Sequence, residues 1–204
     1  NGAGKSTLMK ILSGVYEPTS GIIRINGREF TRLTPRQSAE QGISIIYQEL
    51  NLIDERSIAE NLFIGKLPAR KRWGFPVVDF SAMQKKAAEL LDKVGLNRSP
   101  RELVKQLSIS EKQQVEIAKA LAADARIIIM DEPTSSLTPE ETRKLFAIIS
   151  QLKSEGAGIV YISHKLKELK EIGDRVTVLK DGKHVGTRNI SEVTTDDLVF
   201  MMVG

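Results

Sequence analysis

The sequence contains no cysteine and only two histidines among its 204 residues. Without cysteine, the chain can form neither a disulfide framework nor a thiolate metal site. The two histidines, His164 and His184, are too few for a histidine-rich metal cluster. The absence of cysteine leaves the cellular compartment open, although the cytosol fits well.

Long apolar runs are also absent. The densest apolar segments, residues 127–130 and 159–162, have the length of buried strands and are too short to cross a bilayer. The chain begins at Asn1 rather than at a methionine, and no positive segment followed by an apolar core is present. We therefore expect no signal peptide, a chain cut from a longer one, and membrane contact only through a partner.

Neither sign of charge dominates. Thirty Lys and Arg residues against 26 Asp and Glu residues give a net charge of +4, which is too small and scattered to indicate a dedicated nucleic-acid surface. The hydrophobic fraction of 41% is sufficient for one domain with a real core. We expect a soluble, folded protein with room for two lobes.

Strand and helix patterns alternate along much of the chain. Hairpins are predicted over 21–30 and 175–188, and strands over 43–47, 126–130 and 158–163. Helices are predicted over 8–12, from Thr34, Thr138 and Lys165, and over 195–203. Strands that alternate with helices imply a parallel sheet, so the predicted fold class is α/β.

Helical periodicity dominates from about residue 57 to residue 123. Capped helix starts are predicted at Ser57/Glu60, Ser81/Gln84 and Ser110/Gln113. Residues 68–76, which include the basic run 70–72 and Trp73, are expected to be an exposed loop rather than a lipid- or nucleic-acid-binding patch. We predict one domain over 1–204, with a core lobe of about 1–56 and 124–204 and a helical lobe of about 57–123.

The first seven residues have the composition of a phosphate-binding loop. They are Asn1, Gly2, Ala3, Gly4, Lys5, Ser6 and Thr7. Glycines let backbone amides approach a phosphate, the helix start adds partial positive charge, and Lys5 adds a full charge. Ser6 is the predicted magnesium ligand. Because only the second half of the full pattern is present, an incidental glycine-rich helix cap is the alternative.

Two carboxylates follow the most apolar strand. Asp131 and Glu132 are predicted at its carboxyl end, where ligands bind in open α/β sheets. Asp131 would hold magnesium through water, and Glu132 would act as the general base on the water that attacks the γ-phosphate. On these residues alone, a solvated acidic turn is an equally good interpretation.

Three further positions complete the candidate site. His164 follows a strand and could stabilise the charge of the γ-phosphate. Gln48 also ends a strand and can bind magnesium and the attacking water. Ser108 and Ser110 lie at a helix start that could bind a second anion. Taken singly, each of these residues is better explained as a helix cap or a surface residue.

Taken in order, these segments resemble the full set of motifs of an ABC transporter ATPase domain. The segments correspond to Walker A, the Q-loop at Gln48, the signature at Leu107 and Ser108, Walker B and the D-loop from residue 131, and the switch histidine at His164. The resemblance implies a P-loop NTPase with a mostly parallel sheet core and a helical lobe, with ATP and Mg²⁺ as cofactors. It also implies that Glu132, His164 and Gln48 are catalytic and that Ser6, Gln48 and Asp131 serve the metal.

Finer features resemble the monosaccharide-import branch of that family, of the ribose, galactose and xylose type. The segments that carry this resemblance are 47–53, 57–65, 115–121 and 201–204. The resemblance implies the first of two ATPase domains in one polypeptide, at the cytoplasmic face of the membrane, with the second domain after Gly204. The implied partners are that second domain, membrane permease subunits and, indirectly, a sugar-binding protein, but no nucleic acid.

The signature departs from the family pattern. Where the family has Gly-Gly-Gln, this chain has Ile109, Ser110 and Glu111, which add bulk and negative charge beside a phosphate. The D-loop also ends in Thr138 rather than aspartate. We therefore expect one hydrolytic site built on Lys5 and Glu132, and a degenerate site opposite it that Ser108 and Ser110 would help to form with the partner's ATP.

Three other interpretations remain open. The chain could be a soluble ABC-type ATPase acting on nucleic acid or the ribosome, but the modest charge and the sugar-branch segments argue against this. It could hold ATP without hydrolysing it, which Glu132 and His164 argue against. A P-loop kinase would leave Ser108 and His164 unexplained.

Because the adenine-stacking aromatic of the family lies upstream of the phosphate loop, we expect poor nucleotide affinity for the isolated chain.

Overall fold

The computed structural model describes residues 3–72 and 75–203. Its helices are α1 (Lys5–Leu12), α2 (Pro35–Glu40), α3 (Ile58–Leu62), α4 (Phe80–Lys93), α5 (Ile109–Ala122), α6 (Pro139–Ser154), α7 (Leu166–Ile172) and α8 (Thr195–Val203). Its strands are β1 (Ile23–Ile25), β2 (Arg28–Phe30), β3 (Ile43–Ile46), β4 (Ala69–Arg72), β5 (Phe75–Val78), β6 (Ile127–Asp131), β7 (Gly158–Ile162), β8 (Arg175–Lys180) and β9 (Lys183–Asn189).

A parallel three-stranded sheet in the order β3-β6-β7 lies at the centre of the fold. Successive side chains of β6 point to opposite faces, and both faces are covered. Ile128 and Met130 pack in the core that includes the helices of residues 57–123, whereas Ile129 packs with Met9 of α1 and Ile25 of β1. The predicted α/β class and parallel sheet are therefore confirmed.

Two of the three antiparallel hairpins follow directly from turn residues. Asn26 and Gly27 have φ values of 49° and 78°, and Asp181 and Gly182 have φ values of 49° and 74°. Asn-Gly and Asp-Gly pairs adopt such positive φ angles readily, which is why they connect paired strands. Both predicted hairpins are confirmed.

The third hairpin corrects the expectation of an exposed loop over 68–76. Strand β4 pairs antiparallel with β5, from Ala69 opposite Val78 to Arg72 opposite Phe75. Residues 69–72 include no strong turn former, and Val77 and Val78 in the partner segment favour extended backbone. Trp73 lies outside the described residues.

Two of the predicted helix caps are displaced by two residues. The Asp79 carboxylate, rather than Ser81, caps α4 by accepting a hydrogen bond from the Ala82 amide. The Ser108 side chain, rather than Ser110, caps α5, with Glu111 completing the capping box. The predicted caps at Ser57 and Thr138 are confirmed, and the helix predicted to start at Thr34 is capped by that residue. An aspartate or serine two residues upstream offered the same chemistry, so spacing alone did not fix the frame.

The apolar core runs without a break from the sheet into the helices of residues 57–123. Ile46 and Ile128 of the sheet belong to one buried cluster with Ile58 of α3, Met83 of α4 and Ile117 of α5. The division into a core lobe and a helical lobe stays a prediction. Across residues 3–72 and 75–203, every helix is too short or too polar to span a lipid bilayer.

Candidate active site

The carboxyl ends of the three parallel strands bring most of the predicted site residues to one edge of the sheet. Asp131 is the last residue of β6, and it lies opposite Ile162 of β7. Ile46 at the end of β3 lies opposite Met130. Because the strands are parallel, the residues that follow each of them emerge side by side.

Glu132 follows β6 with a left-handed backbone, at φ 47°. Its amide donates to the carbonyl of Ile162 at 2.9 Å, and its carbonyl accepts from the Ser135 amide at 3.1 Å. The other non-glycine residues described with positive φ are Asn and Asp, which tolerate this region better than Glu does. Left-handed backbone costs a Glu about 1–2 kcal/mol, and such cost concentrates at functional sites.

Glu132 and His164 are in direct contact. The Glu132 Oε1 atom lies 3.2 Å from Nδ1 of His164, which comes two residues after the end of β7. An ionised carboxylate only accepts hydrogen bonds, so Nδ1 carries the proton when Glu132 is charged. The His164 side chain is 64% exposed and that of Glu132 is 20% exposed, so both are open to a ligand.

Ser6 and Asp131 form the second contact of the site. Gly4, with φ 86°, is the N-cap of α1, which places Ser6 in the first turn of that helix. The Ser6 hydroxyl donates to Oδ2 of Asp131 at 3.4 Å. Burial raises the pKa of Asp131, the charge of Glu132 raises it further, and the Ser6 hydrogen bond and the Lys5 charge offset part of this rise.

These groups fit a magnesium ion. Mg²⁺ takes hard oxygen donors, and it usually binds one or two protein groups together with water and substrate phosphate. The Asp131 carboxylate and the Ser6 hydroxyl, 3.4 Å apart, supply such oxygens. Within the described part of the chain no group of three or more His, Cys, Asp or Glu residues could hold a metal by itself, which is compatible with an ion that arrives with its ligand.

The remaining predicted residues are placed less closely. Gln48 lies two residues beyond β3, exposed at the same sheet edge, and among the described residues its side chain makes no hydrogen bond to Asp131 or Ser6. Ala3 precedes α1, and Thr7 is exposed within it. Asn1 and Gly2 lie outside the described residues.

Ser108 and Ser110 lie at the start of α5. The Ser108 amide donates to Glu111 Oε2 at 2.8 Å, and Arg98 donates to the other oxygen of that carboxylate at 2.8 Å. The Arg98 hydrogen bond lowers the pKa of Glu111. Ile109 is 54% exposed beside them. In the described structure no hydrogen bond joins Ser108 or Ser110 to the Glu132 site.

A cleft of about 900 Å³ between β7 and β8 lies beside this site. Its lining is mostly apolar, and it includes Lys5 but neither Asp131 nor Glu132. The cleft is therefore adjacent to the carboxylates rather than the place where they converge.

The sequence analysis missed a buried carboxylate beside the site. Glu168 of α7 is 9% exposed and accepts hydrogen bonds from three hydroxyl groups around the site. The only sequence signal was a glutamate four residues after His164 in a helix of alternating charge, which is usual for a solvated helix face.

Comparison with known proteins decides the family. The family profile described as ABC transporter matches residues 1–135, which is well over half of the chain. The chain belongs to this family. The chain is 53% identical over all 204 residues to the D-allose import ATP-binding protein AlsA of Escherichia coli strain K12, and spans 40% of that protein. It is 45% identical over 204 residues to the ribose import ATP-binding protein RbsA of Geobacillus kaustophilus, and spans 41% of it.

Solved structures agree with this assignment. The ADP conformation of MJ1267, an ATP-binding cassette of an ABC transporter, matches all of this chain and 85% of its own, at 25% identity and a TM-score of 0.84. The ATP-binding cassette MJ0796 bound to ADP and Pi matches 92% of this chain and 81% of its own, at 26% identity and a TM-score of 0.74. The family and fold predicted from the motifs are therefore confirmed.

Proposed function

We propose that this chain is the ATP-binding and ATP-hydrolysing domain of an ABC importer that takes up a monosaccharide through a membrane permease. The contact between Glu132 and His164, beside the contact between Asp131 and Ser6, is the observation that carries the proposal. The names of the sugar-import relatives support the substrate class.

Each described side chain of the site has its own role in the proposed reaction. Lys5 and the backbone amides at the start of α1 bind the phosphates. Glu132 accepts the proton of the attacking water, a step typically worth about 10² to 10⁴ in rate. His164 donates Nδ1–H to Glu132 Oε1, which orients the carboxylate, and as the imidazolium it also has an Nε2–H to donate to the γ-phosphate.

Magnesium, when bound, would neutralise phosphate charge and polarise the bond that breaks. Ser6 and Asp131 would hold it, with Gln48 at the same sheet edge as the third ligand. A cation beside Asp131 would stabilise its ionised carboxylate and so offset the effect of burial, which raises the pKa of that group.

The assembly that we propose contains a second ATPase domain, which contributes its own signature to the Glu132 site. Permease subunits would contact the Gln48 loop and the helical lobe, which places the domain at the cytoplasmic face of the membrane. A sugar-binding protein would deliver the sugar from the other side.

Single-turnover ATP hydrolysis by the assembled transporter tests the base assignment. Glu132→Gln should slow hydrolysis by about 10² or more, because the amide cannot accept the proton. ATP binding should persist, since Lys5, Ser6 and Asp131 are unchanged. The matched control is Glu140→Gln, at an exposed position in the first turn of α6, which should hydrolyse at the wild-type rate.

Uptake of labelled D-allose, ribose and galactose into proteoliposomes tests the transport assignment. ATP-dependent uptake of one of these sugars, lost in the Glu132→Gln transporter, is the expected result. Hydrolysis that survives Glu132→Gln would contradict the base assignment, and ATP hydrolysis without uptake of any monosaccharide would contradict the import assignment.

A further inference from the structure

Glu168 is a buried carboxylate that the proposed mechanism does not use. It is 9% exposed, and it accepts hydrogen bonds from Thr134 at 2.7 Å, Tyr161 at 2.8 Å and Ser163 at 3.1 Å. The ammonium group of Lys165 lies 3.2 Å from Glu168 Oε1. A charge is retained in the interior only when it is paired and hydrogen-bonded in this way.

The donors come from both loops of the candidate active site. Thr134 lies two residues after Glu132, and Ser163 and Lys165 are the immediate neighbours of His164. Lys165 also crosses directly to the first loop, since its ammonium donates to the carbonyl of Thr134 at 3.1 Å. One buried carboxylate therefore connects the backbone that carries the proposed base to the backbone that carries the histidine.

Strand β7 and helix α6 hold one of the hydrogen-bond donors to Glu168 in position. Tyr161 belongs to β7, and its ring packs edge-on against Phe146 of α6 with the ring centroids 6.1 Å apart. Burial raises the pKa of the Tyr161 hydroxyl, which keeps it a donor. Burial of Glu168 alone would raise the pKa of its carboxyl group, but the hydrogen bonds from Thr134, Tyr161 and Lys165 hold that pKa below its ordinary value.

The contact between Glu132 and His164 is too weak to fix the positions of the two loops. Glu132 and His164 meet through one 3.2 Å contact, and the imidazole is 64% exposed. Exposed pairs of this kind contribute little free energy, because solvent screens them and both side chains lose freedom. The relative position of the two loops is therefore set by other contacts. The hydrogen bond from the Glu132 amide to the Ile162 carbonyl joins the loops where they leave the strands, and the Glu168 network joins Thr134 to Ser163 and Lys165.

We propose that Glu168 is a positioning residue that holds the Glu132 loop and the His164 loop in the arrangement needed for hydrolysis. The proposal rests on the proposed function, since it assigns Glu168 to the same reaction. Glu168 acts through the two loops and contacts no reacting atom.

The first test compares steady-state ATP hydrolysis by the assembled transporter carrying Glu168→Ala or Glu171→Ala. Glu168→Ala should lower kcat about 10- to 100-fold, the usual effect of removing a supporting partner of an active-site group. The KM for ATP should stay close to wild type, because Lys5, Ser6 and Asp131 are untouched. Glu171 is exposed on the same helix, so Glu171→Ala should leave both constants unchanged.

A second pair of variants keeps the test valid if Glu168→Ala fails to fold. Thr134→Val removes one hydroxyl donor, and Thr134→Ser keeps it. The valine variant should lose kcat and the serine variant should retain it. In a double-variant comparison, Glu168→Ala added to His164→Ala should slow hydrolysis less than it does in the wild type, because both changes disrupt the same arrangement.

Three results would overturn the proposal. In the first, kcat survives Glu168→Ala and Thr134→Val while Glu132→Gln abolishes hydrolysis, which leaves the proposed function standing. In the second, kcat and KM worsen together in step with the melting temperature, which indicates a purely structural role. In the third, the wild-type transporter does not hydrolyse ATP, which removes the proposed function and this inference together.

Discussion

The two adjacent carboxylates of the site differ in their surroundings. Asp131 is partly buried at the end of β6, and burial raises the pKa of its carboxyl group, with a further rise from the Glu132 charge. Glu132 instead faces the His164 ring. A buried carboxylate without a bound cation lowers the stability of the ligand-free protein. Binding sites often carry such a cost in stability.

The sign of this effect can be measured. Because the pKa of Asp131 is raised on folding, its contribution to stability is present below the ordinary Asp value of about 3.9 and is lost as the pH rises through the folded pKa. Asp131→Asn removes that loss of stability, because asparagine does not ionise. We expect the ligand-free variant to be more stable than wild type at pH 7, by less than about 1 kcal/mol because the group is only partly buried, with the difference shrinking toward pH 4.

Urea unfolding at pH 7 and pH 4, followed by circular dichroism, measures this difference. The control is Asp92→Asn at an exposed position of α4, which makes the same Asp-to-Asn change away from the site. A variant that is less stable than wild type at pH 7 would mean that the Ser6 and Lys5 contacts outweigh the burial of Asp131.

At the scale of secondary-structure elements, α1 and α2 meet at a junction that only glycine fits. Gly14 follows α1 with φ 75°, and a Cβ atom there would lie 2.3 Å from the Thr34 carbonyl carbon and 2.6 Å from the Pro35 nitrogen. The Ser38 hydroxyl of α2 donates to the carbonyl of Leu12 at 2.7 Å, which keeps the two helices in contact. Backbone atoms cannot move aside as a flexible side chain could.

Gly14→Ala should therefore destabilise the protein strongly. We expect a loss of about 3 kcal/mol or more in the free energy of unfolding, from left-handed strain of about 1 kcal/mol together with an overpacking cost. Gly65 is the matched control, since it has φ 78° and nothing within 4 Å of its Cβ position. Gly65→Ala should lose only about 1 kcal/mol, and equal losses in denaturant unfolding would contradict the steric argument.

The sequence predicted the elements whose signals are local and unique. Asn26-Gly27 and Asp181-Gly182 fixed two hairpins, and Thr138 fixed the start of α6, because each combines a turn or cap residue with one possible frame. The prediction failed where two frames competed, as at Ser108 and Ser110. It also missed Glu168, because burial of a helix face depends on the packing of β7 and α6 beneath it rather than on nearby residues.

At the scale of the whole molecule, the predicted site lies where parallel strands end, and this placement follows from topology rather than from any motif. The order β3-β6-β7 brings the residues after three distant strands to one edge. The sequence did not predict direct contacts at that edge, such as the one between Glu132 and His164, and the structure shows them. In the proposed assembly, the α5 start would act only together with a second ATPase domain.

The structure changes what we expect of the departures at that helix start. Sequence reasoning gave Glu111 a repulsive effect on a partner's phosphate, but its carboxylate accepts from Arg98 and from the Ser108 amide, both at 2.8 Å. The negative charge of Glu111 is therefore largely balanced by these donors within the chain. Ile109, at 54% exposure, adds bulk where the family has glycine, so bulk should be the greater obstacle to a phosphate.

We therefore expect Ile109→Gly to tighten ATP binding at the opposing site about ten-fold, which is the size of a relieved steric conflict. Glu111→Gln keeps the capping box and should change that affinity by less than about three-fold. Calorimetric ATP titration of the assembled transporter in the Glu132→Gln background measures both effects. Replacing both Ile109 and Ser110 by glycine should barely alter hydrolysis at the Glu132 site. A larger gain from Glu111→Gln than from Ile109→Gly would show that charge, not bulk, weakens the opposing site.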